Sequence, residues 1–153
     1  MKEEIFLTKS SEETQNLAQK LARKLKRDEV IALFGNLGSG KTTFVQGLAR
    51  GLGIKQRIIS PTFIIIRKYQ ISNISPRFGE AGEFPISNFY HIDLYRIQKT
   101  EGLGLEEIIN SRDGIIAIEW AEKIEKLLPK KRIEIYFENI SENERKITLK
   151  KYG

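Results

Sequence analysis

Val30-Ile-Ala-Leu-Phe34, followed at once by Gly35-Asn-Leu-Gly-Ser-Gly-Lys-Thr42 and then by Thr43 to Leu52, is the stretch that decides the fold class. Its first five residues form a continuous apolar run of strand length, the pattern of a strand buried on both faces of a parallel sheet. A glycine-rich loop comes next, and Thr42 to Leu52 reads as a helix. Strand, tight loop and helix in direct succession open a β–loop–α unit, so the class is α/β. The loop matches G-x-x-x-x-G-K-[ST] without a gap, the pattern of a P-loop NTPase. Each fixed position has a physical reason. Glycines let the backbone wrap closely, so that successive N–H groups point inward and form an anion-binding nest. The helix beginning near Lys41 adds its positive end. Lys41 supplies a charge for the β- and γ-phosphates, and Thr42 offers a hydroxyl to Mg²⁺. With glycine at about 7% of residues, a chance match in a chain of this length is on the order of 1%. The stretch therefore predicts a site for a nucleoside triphosphate and Mg²⁺.

Working outward, a helix is predicted from Ser11 to Arg27. Leu17, Leu21 and Leu25 recur at four-residue spacing, with Ala18 and Ala22 beside them. Ser10 or Ser11 can cap it, and Glu12 and Glu13 suit the positive end of its dipole. Lys20, Arg23, Lys24 and Arg27 make a basic stripe on the same helix, either a solvated outer face or a dock for RNA or a partner. Phe63 to Gln70 and Asn88 to Leu94 are β-rich. The segment 71–87 between them, punctuated by Pro76, Gly79, Gly82 and Pro85, reads as a flexible insert or hairpin. Ile115 to Glu119 is a further apolar strand, and a short helix runs from it to Leu128, stopped by Pro129. Arg132 to Glu138 and Lys146 to Lys150 alternate with period two, which predicts an antiparallel pair at the carboxyl end. The expectation is one domain over 1–153: a mostly parallel central sheet flanked by helices, with an antiparallel C-terminal strand pair.

Composition narrows the function. The chain has 153 residues, 40% hydrophobic and 30% charged, with a net charge of +6. That is the make-up of a globular protein with some general affinity for polyanions. There is no cysteine and one histidine, His91, so disulfides, thiolate metal sites and iron–sulfur clusters are excluded. The first residues, Met1 to Thr14, carry acids and lack the apolar core of an export signal. The apolar runs are far too short to cross a bilayer. The expected location is cytoplasmic, with no membrane partner.

A P-loop site needs a carboxylate at the end of a neighbouring strand to hold Mg²⁺, directly or through water. Glu119 ends Ile115-Ile-Ala-Ile118, and Asp93 ends Phe89-Tyr-His-Ile92; on pattern alone both qualify. His91 points to the same strand face as Asp93, because residues two apart do. It reads as structural or as catalytic. Neither D-x-x-G nor N-K-x-D, the guanine-reading signature of signalling GTPases, occurs in the chain, so ATP is favoured. The P-loop alone leaves open a small-molecule or nucleoside kinase. A nucleotide-gated RNA-binding module using the basic helix is open too.

Four stretches together narrow the choice: Gly35-Asn-Leu-Gly-Ser-Gly-Lys-Thr-Thr43, Ser60-Pro-Thr-Phe63, His91-Ile-Asp-Leu-Tyr-Arg96 and Ile118-Glu-Trp120. In this order and at these spacings the chain resembles the bacterial ATPase of tRNA threonylcarbamoyladenosine biosynthesis, the TsaE (YjeE) family, from Thr14 to about Arg145. The resemblance implies an ATP hydrolase, slow when alone, that uses ATP and Mg²⁺. Its partners would be the threonylcarbamoyl-transferase subunit and that subunit's dimerisation partner, with tRNA reached only through the complex. Hydrolysis would support turnover of the complex that modifies the adenosine beside the anticodon.

By position, the resemblance puts Gly38, Ser39, Gly40, Lys41, Thr42 and Thr43 around the phosphates and Thr42 with Glu119 on Mg²⁺. Lys41 and Asp93 become the catalytic pair, Asp93 beside the γ-phosphate. Ser60-Pro-Thr-Phe63 becomes a γ-phosphate sensor. Glu122 and Arg145 approach the nucleotide, and the region of Lys9 and Ser10 borders the adenine. Trp120 is either a core aromatic or a neighbour of the nucleotide or partner. Tyr95 and Arg96 would position Asp93 or meet a partner, and Arg96 and Arg145 are the candidates for an arginine finger. The chain departs from the family in having Asn36 for the usual aspartate, Ala121 for the usual proline and a longer 71–87 segment.

Overall fold

Strand β2 (Val30–Phe34) is the axis on which the sheet is built. Its alternate side chains enter two separate cores. Ile31 and Leu33 pack on one side and Val30 and Ala32 on the other, as the two-residue period of a strand requires. This is why the run is apolar without a break. Helix α2 (Lys41–Gly51) follows the glycine loop as predicted.

In this computed structural model, residues 1–26, 28–59, 65–71 and 88–153 are described. The strands are β1 (Lys2–Thr8), β2, β3 (Ile66–Gln70), β4 (Asn88–Asp93), β5 (Gly114–Glu119), β6 (Arg132–Asn139) and β7 (Arg145–Tyr152). They form one sheet in the order β1-β7-β6-β2-β5-β4-β3. β2 is parallel to both β5 and β6, and β4 is parallel to β5. The pairs β1–β7, β6–β7 and β3–β4 are antiparallel. The α/β class and the antiparallel C-terminal pair are thus as expected, but the sheet is mixed rather than mostly parallel. The correction has two sources. β3 turns back on β4, and β1, which the sequence reading missed, adds an edge beyond β7. The charges of Lys2, Glu3 and Glu4 hide that strand: on an exposed edge, polar side chains are tolerated on both faces.

Helix α1 (Ser11–Ala22) ends before the predicted Arg27, with Arg23 and Lys24 in a turn. Arg27 lies outside the described residues, as do Ser60-Pro-Thr-Phe63 and all of the 71–87 segment beyond Ile71. Lys20, Arg23 and Lys24 are exposed. A short helix α3 (Leu105–Ser111), unforeseen because it is only seven residues long, covers the second core with Leu105, Ile108 and Ile109. A 3₁₀-helix (Ala121–Leu127) covers the same core. Among the described residues no helix is long and apolar enough to cross a membrane.

Helices α1 and α2 lie on the first core, and their contact is built from small residues. A Cβ added at Gly47 would stand 2.3 Å from the Gln15 carbonyl oxygen and 2.7 Å from the Ala18 Cβ. One added at Gly51 would stand 2.6 Å from the Ala22 Cβ. The helix that follows the glycine loop is therefore seated backbone-close against α1. Gly47→Ala tests this, because two effects oppose each other. Intrinsic helix preference favours alanine by about 1 kcal/mol, whereas overpacking costs about 1–3 kcal/mol. The denaturant midpoint should fall at unchanged slope; a midpoint that holds or rises would mean that the helices part without cost.

Candidate functional site

The loop from Gly35 to Gly40 runs between the end of β2 and the first turn of α2. Gly38 has φ +77° and Gly40 has φ +102°, both in the left-handed region that glycine adopts without strain. A Cβ at either position would meet nothing within 4 Å. The space in front of the loop is open, and the N-terminus of α2 points into it.

Lys41 arches back over this loop. Its ammonium donates to the carbonyl oxygens of Gly35 and of Asn36, the latter at 3.0 Å. It also sits 3.9 Å from the centroid of the Trp120 ring. The side chain is 4% exposed. Burial pushes its pKa below the ordinary 10.5, against the upward pull of Glu119, Glu122 and Asp93. Asn36 contributes its main-chain carbonyl to this arrangement.

The carboxylates come from two parallel strands in register. In β5, Ile115 and Ala117 belong to the core under α2, and Glu119 continues the same odd-numbered series. In β4, Phe89 does so, and His91 and Asp93 follow it. Asp93 pairs with Glu119 across the ladder. Parity alone therefore aims His91, Asp93 and Glu119 at the face where α2 begins. Thr42 Oγ1 donates to both oxygens of Glu119, at 2.8 and 2.9 Å. His91 Nε2 meets Glu119 Oε2 at 2.5 Å from the other side. Glu119 is 2% exposed and His91 fully buried. Asp93 is partly exposed, and its Oδ1 accepts from the Tyr95 N–H at 3.0 Å.

Trp120 holds its place with φ +61°, one of two non-glycine residues at positive φ among those described. Its ring packs against Tyr95, centroids 5.0 Å apart. On the far side, the β6–β7 hairpin brings Arg145. Its guanidinium donates to the carbonyls of Ser141, Glu142 and Glu144 at 3.0 Å and reaches the Gly38 carbonyl at 3.4 Å. Ser10 caps α1 by accepting from the Glu13 N–H at 3.1 Å, while Glu13 accepts from the Lys9 N–H at 3.3 Å.

These pieces enclose a cleft of about 830 Å³, within the range of small-ligand and cofactor sites. Gly38, Ser39, Gly40, Lys41, Thr42, Thr43, Asp93, Glu119 and Arg145 all line it, as do Ser10, Tyr95, Arg96 and Trp120. Two expected residues do not: Lys9, and Glu122, which is exposed on the 3₁₀-helix and reaches the site only through its charge on Lys41. Sequence reasoning missed Ser11, Thr14, Glu142 and Asn143, which also line it. Glu142 and Asn143 sit in a polar turn that carries no motif. Thr14 is signalled only by a buried hydrogen bond to Thr8, 2.8 Å, which joins the end of β1 to α1.

Three comparisons bear on this arrangement. A family model described as "Threonylcarbamoyl adenosine biosynthesis protein TsaE" matches residues 8–147. The tRNA threonylcarbamoyladenosine biosynthesis protein TsaE of Bacillus subtilis (strain 168) is 38% identical over 154 residues, covering 100% of this chain and 89% of that protein. The protein of the same name from Nostoc sp. is 42% identical over 125 residues, 78% of this chain and 68% of that one. Among solved structures, the crystal structure of Bacillus subtilis YdiB superposes with a TM-score of 0.76 at 33% identity, covering 99% of this chain and 87% of the other.

The lowered pKa of Lys41 gives a pH signature. An ammonium attracts an anion only while protonated, so any hold that Lys41 has on a phosphate would be at full strength below the lowered pKa and lost as pH rises through it. Trp120, the only tryptophan and in contact with that ammonium, reports the binding. Titrated by Trp120 emission, nucleotide affinity should begin to fall at a pH below the 10.5 of an ordinary lysine. An affinity that stays level up to that pH would show that Lys41 is not what holds the anion.

Proposed function

The chain belongs to the TsaE family, and from that premise we propose that it is a Mg²⁺-dependent P-loop ATPase serving tRNA threonylcarbamoyladenosine formation. The observation that carries the reading is the bond from Thr42 to Glu119 at the mouth of the glycine loop. A threonine hydroxyl whose proton is committed to a carboxylate keeps its lone pairs free for a cation. This is what the magnesium of a nucleotide asks of a protein: one or two oxygen ligands, with phosphates and water supplying the rest. Among the described residues no cluster of three acidic, histidine or cysteine side chains could hold a metal by itself. That agrees with a cation brought in by the nucleotide. Mg²⁺ in this position neutralises charge on the β- and γ-phosphate oxygens.

The chain's own residues do the rest. The loop N–H groups and the N-terminus of α2 bind the phosphates, and Lys41 exchanges two main-chain carbonyls for phosphate oxygen. Asp93, on the strand next to Glu119, orients the attacking water at the γ-phosphate. Arg145, tethered to the hairpin and to Gly38, brings a second positive charge to the loop from the same chain. Catalysis is positioning and charge stabilisation. In this reading hydrolysis is slow when the chain is alone. The partners in this reading are the threonylcarbamoyl-transferase subunit and its dimerisation partner, in the cytoplasm, with tRNA held by the complex rather than by this chain.

The test is Mg²⁺-dependent ATP hydrolysis by the wild type and Lys41→Ala, alone and with the two partner proteins. The expected result is slow turnover that rises several-fold or more with the partners and is lost in Lys41→Ala at unchanged stability. Turnover indifferent to the partners would sink the tRNA-modification role. Phosphate transfer to an added small acceptor would point to a kinase instead.

A further inference from the structure

The polar bond that the structure gives His91 is the one to Glu119. Its Nε2 stands 2.5 Å from Oε2, the ring is fully buried, and Nδ1 has no hydrogen-bond partner among the described residues. Because a carboxylate only accepts, the ring hydrogen must sit on Nε2. A histidine serving merely as core filling could be replaced by an apolar side chain of similar size at no loss to its surroundings. Here the neighbour is a carboxylate that is itself 2% exposed, and a carboxylate so placed needs its donors. Among the described residues its side-chain donors are two: Thr42, on the helix that follows the glycine loop, and His91, on β4. Thr42 belongs to the first turn of α2, whereas His91 is held within the sheet, paired to Arg67 on one side and Ala117 on the other.

We infer that His91 is a positioning residue for the cation site: its Nε2–H fixes the Glu119 carboxylate so that the remaining lone pairs face Thr42 and the incoming Mg²⁺. The inference rests on the reading above that Thr42 and Glu119 hold that ion. Such a donor behind a metal-binding carboxylate contributes to metal affinity rather than to affinity for the nucleotide itself, and removing one typically costs about tenfold or more.

The experiment separates the two affinities. Binding of a non-hydrolysable ATP analogue is followed by Trp120 emission, once in EDTA and once in Mg²⁺, for wild type, His91→Leu and His91→Gln. Metal-free affinity should stay within about twofold, while the tightening given by Mg²⁺ falls about tenfold or more in His91→Leu. His91→Gln, whose amide N–H can donate to the same carboxylate, should keep the larger part. In a Glu119→Gln background, adding His91→Leu should change nothing further.

A second measurement needs no substitution. His91 is the only histidine, so its ring signals in a ¹⁵N NMR spectrum are unambiguous. They should show a slowly exchanging hydrogen on Nε2, with and without the Mg²⁺-bound analogue. A folded His91→Leu protein with the full Mg²⁺ effect, or a ring carrying its hydrogen on Nδ1, overturns the inference. A wild type that gains nothing from Mg²⁺ overturns the Mg²⁺ reading itself, and is told apart by that.

Discussion

The hydrogen bond from Thr42 to Glu119 joins the two halves of the site, and much of the surrounding structure serves to make it possible. It ties the first turn of α2 to the last residue of β5. A carboxylate buried that deeply without partners would cost several kcal/mol, of the order that makes such groups neutralise or move. With a hydroxyl on one side and an imidazole N–H on the other, the cost is offset and the group's orientation is set. Fixed carboxylate geometry is worth having only if the loop opposite is equally fixed. The close seating of α2 on α1, backbone against alanine, provides that.

Strand register decides which face the acid points to. A slip of one residue in β5 would turn Glu119 toward the other core and bring Ile118 to the loop. The opposite end of the β4–β5 ladder shows what prevents it. Gly114 pairs with Asn88 so closely that a Cβ there would lie 2.2 Å from the Asn88 carbonyl oxygen. One residue earlier, Asp113 accepts from the Tyr90 hydroxyl at 2.9 Å and from Ser111 at 2.9 Å. Those contacts are far from the cleft, yet they hold the strand whose other end carries the acid.

Legibility followed the range of the interactions. The glycine loop was plain in the sequence because its pattern is local: the glycines that set its backbone shape, the lysine and the threonine are contiguous. The placement of Glu119 and Asp93 was half legible. Each ends an apolar strand, but that the two strands are neighbours, in register and parallel to β2, comes from pairing across the sheet. The outer strands were the least legible. β1 carries charge on an exposed edge, and the turn at Glu142 and Asn143 is ordinary polar sequence. Yet the antiparallel wing of β6, β7 and β1 brings both Arg145 and Ser10 to the cleft. The mixed sheet is thus part of the site: a purely parallel one would have left the loop without its second wall.

Lys41 shows how the site is kept ready. The nearest favourable partner for a buried ammonium would be Glu119, whose field already raises its pKa. Instead the ammonium rests on two neutral carbonyls of its own loop and on the face of Trp120. Trp120 reaches that position only by adopting a left-handed backbone, a conformation that costs about 1–3 kcal/mol and persists where the surroundings over-determine it. Tyr95 packed on its other side is part of what holds it there. The consequence is chemical. The partners of this ammonium are uncharged oxygens, and among the described residues it forms no ion pair. Glu119 meanwhile is bound to Thr42 and His91. The ammonium of Lys41 and the carboxylate of Glu119 thus each have their own separate partners within one cleft.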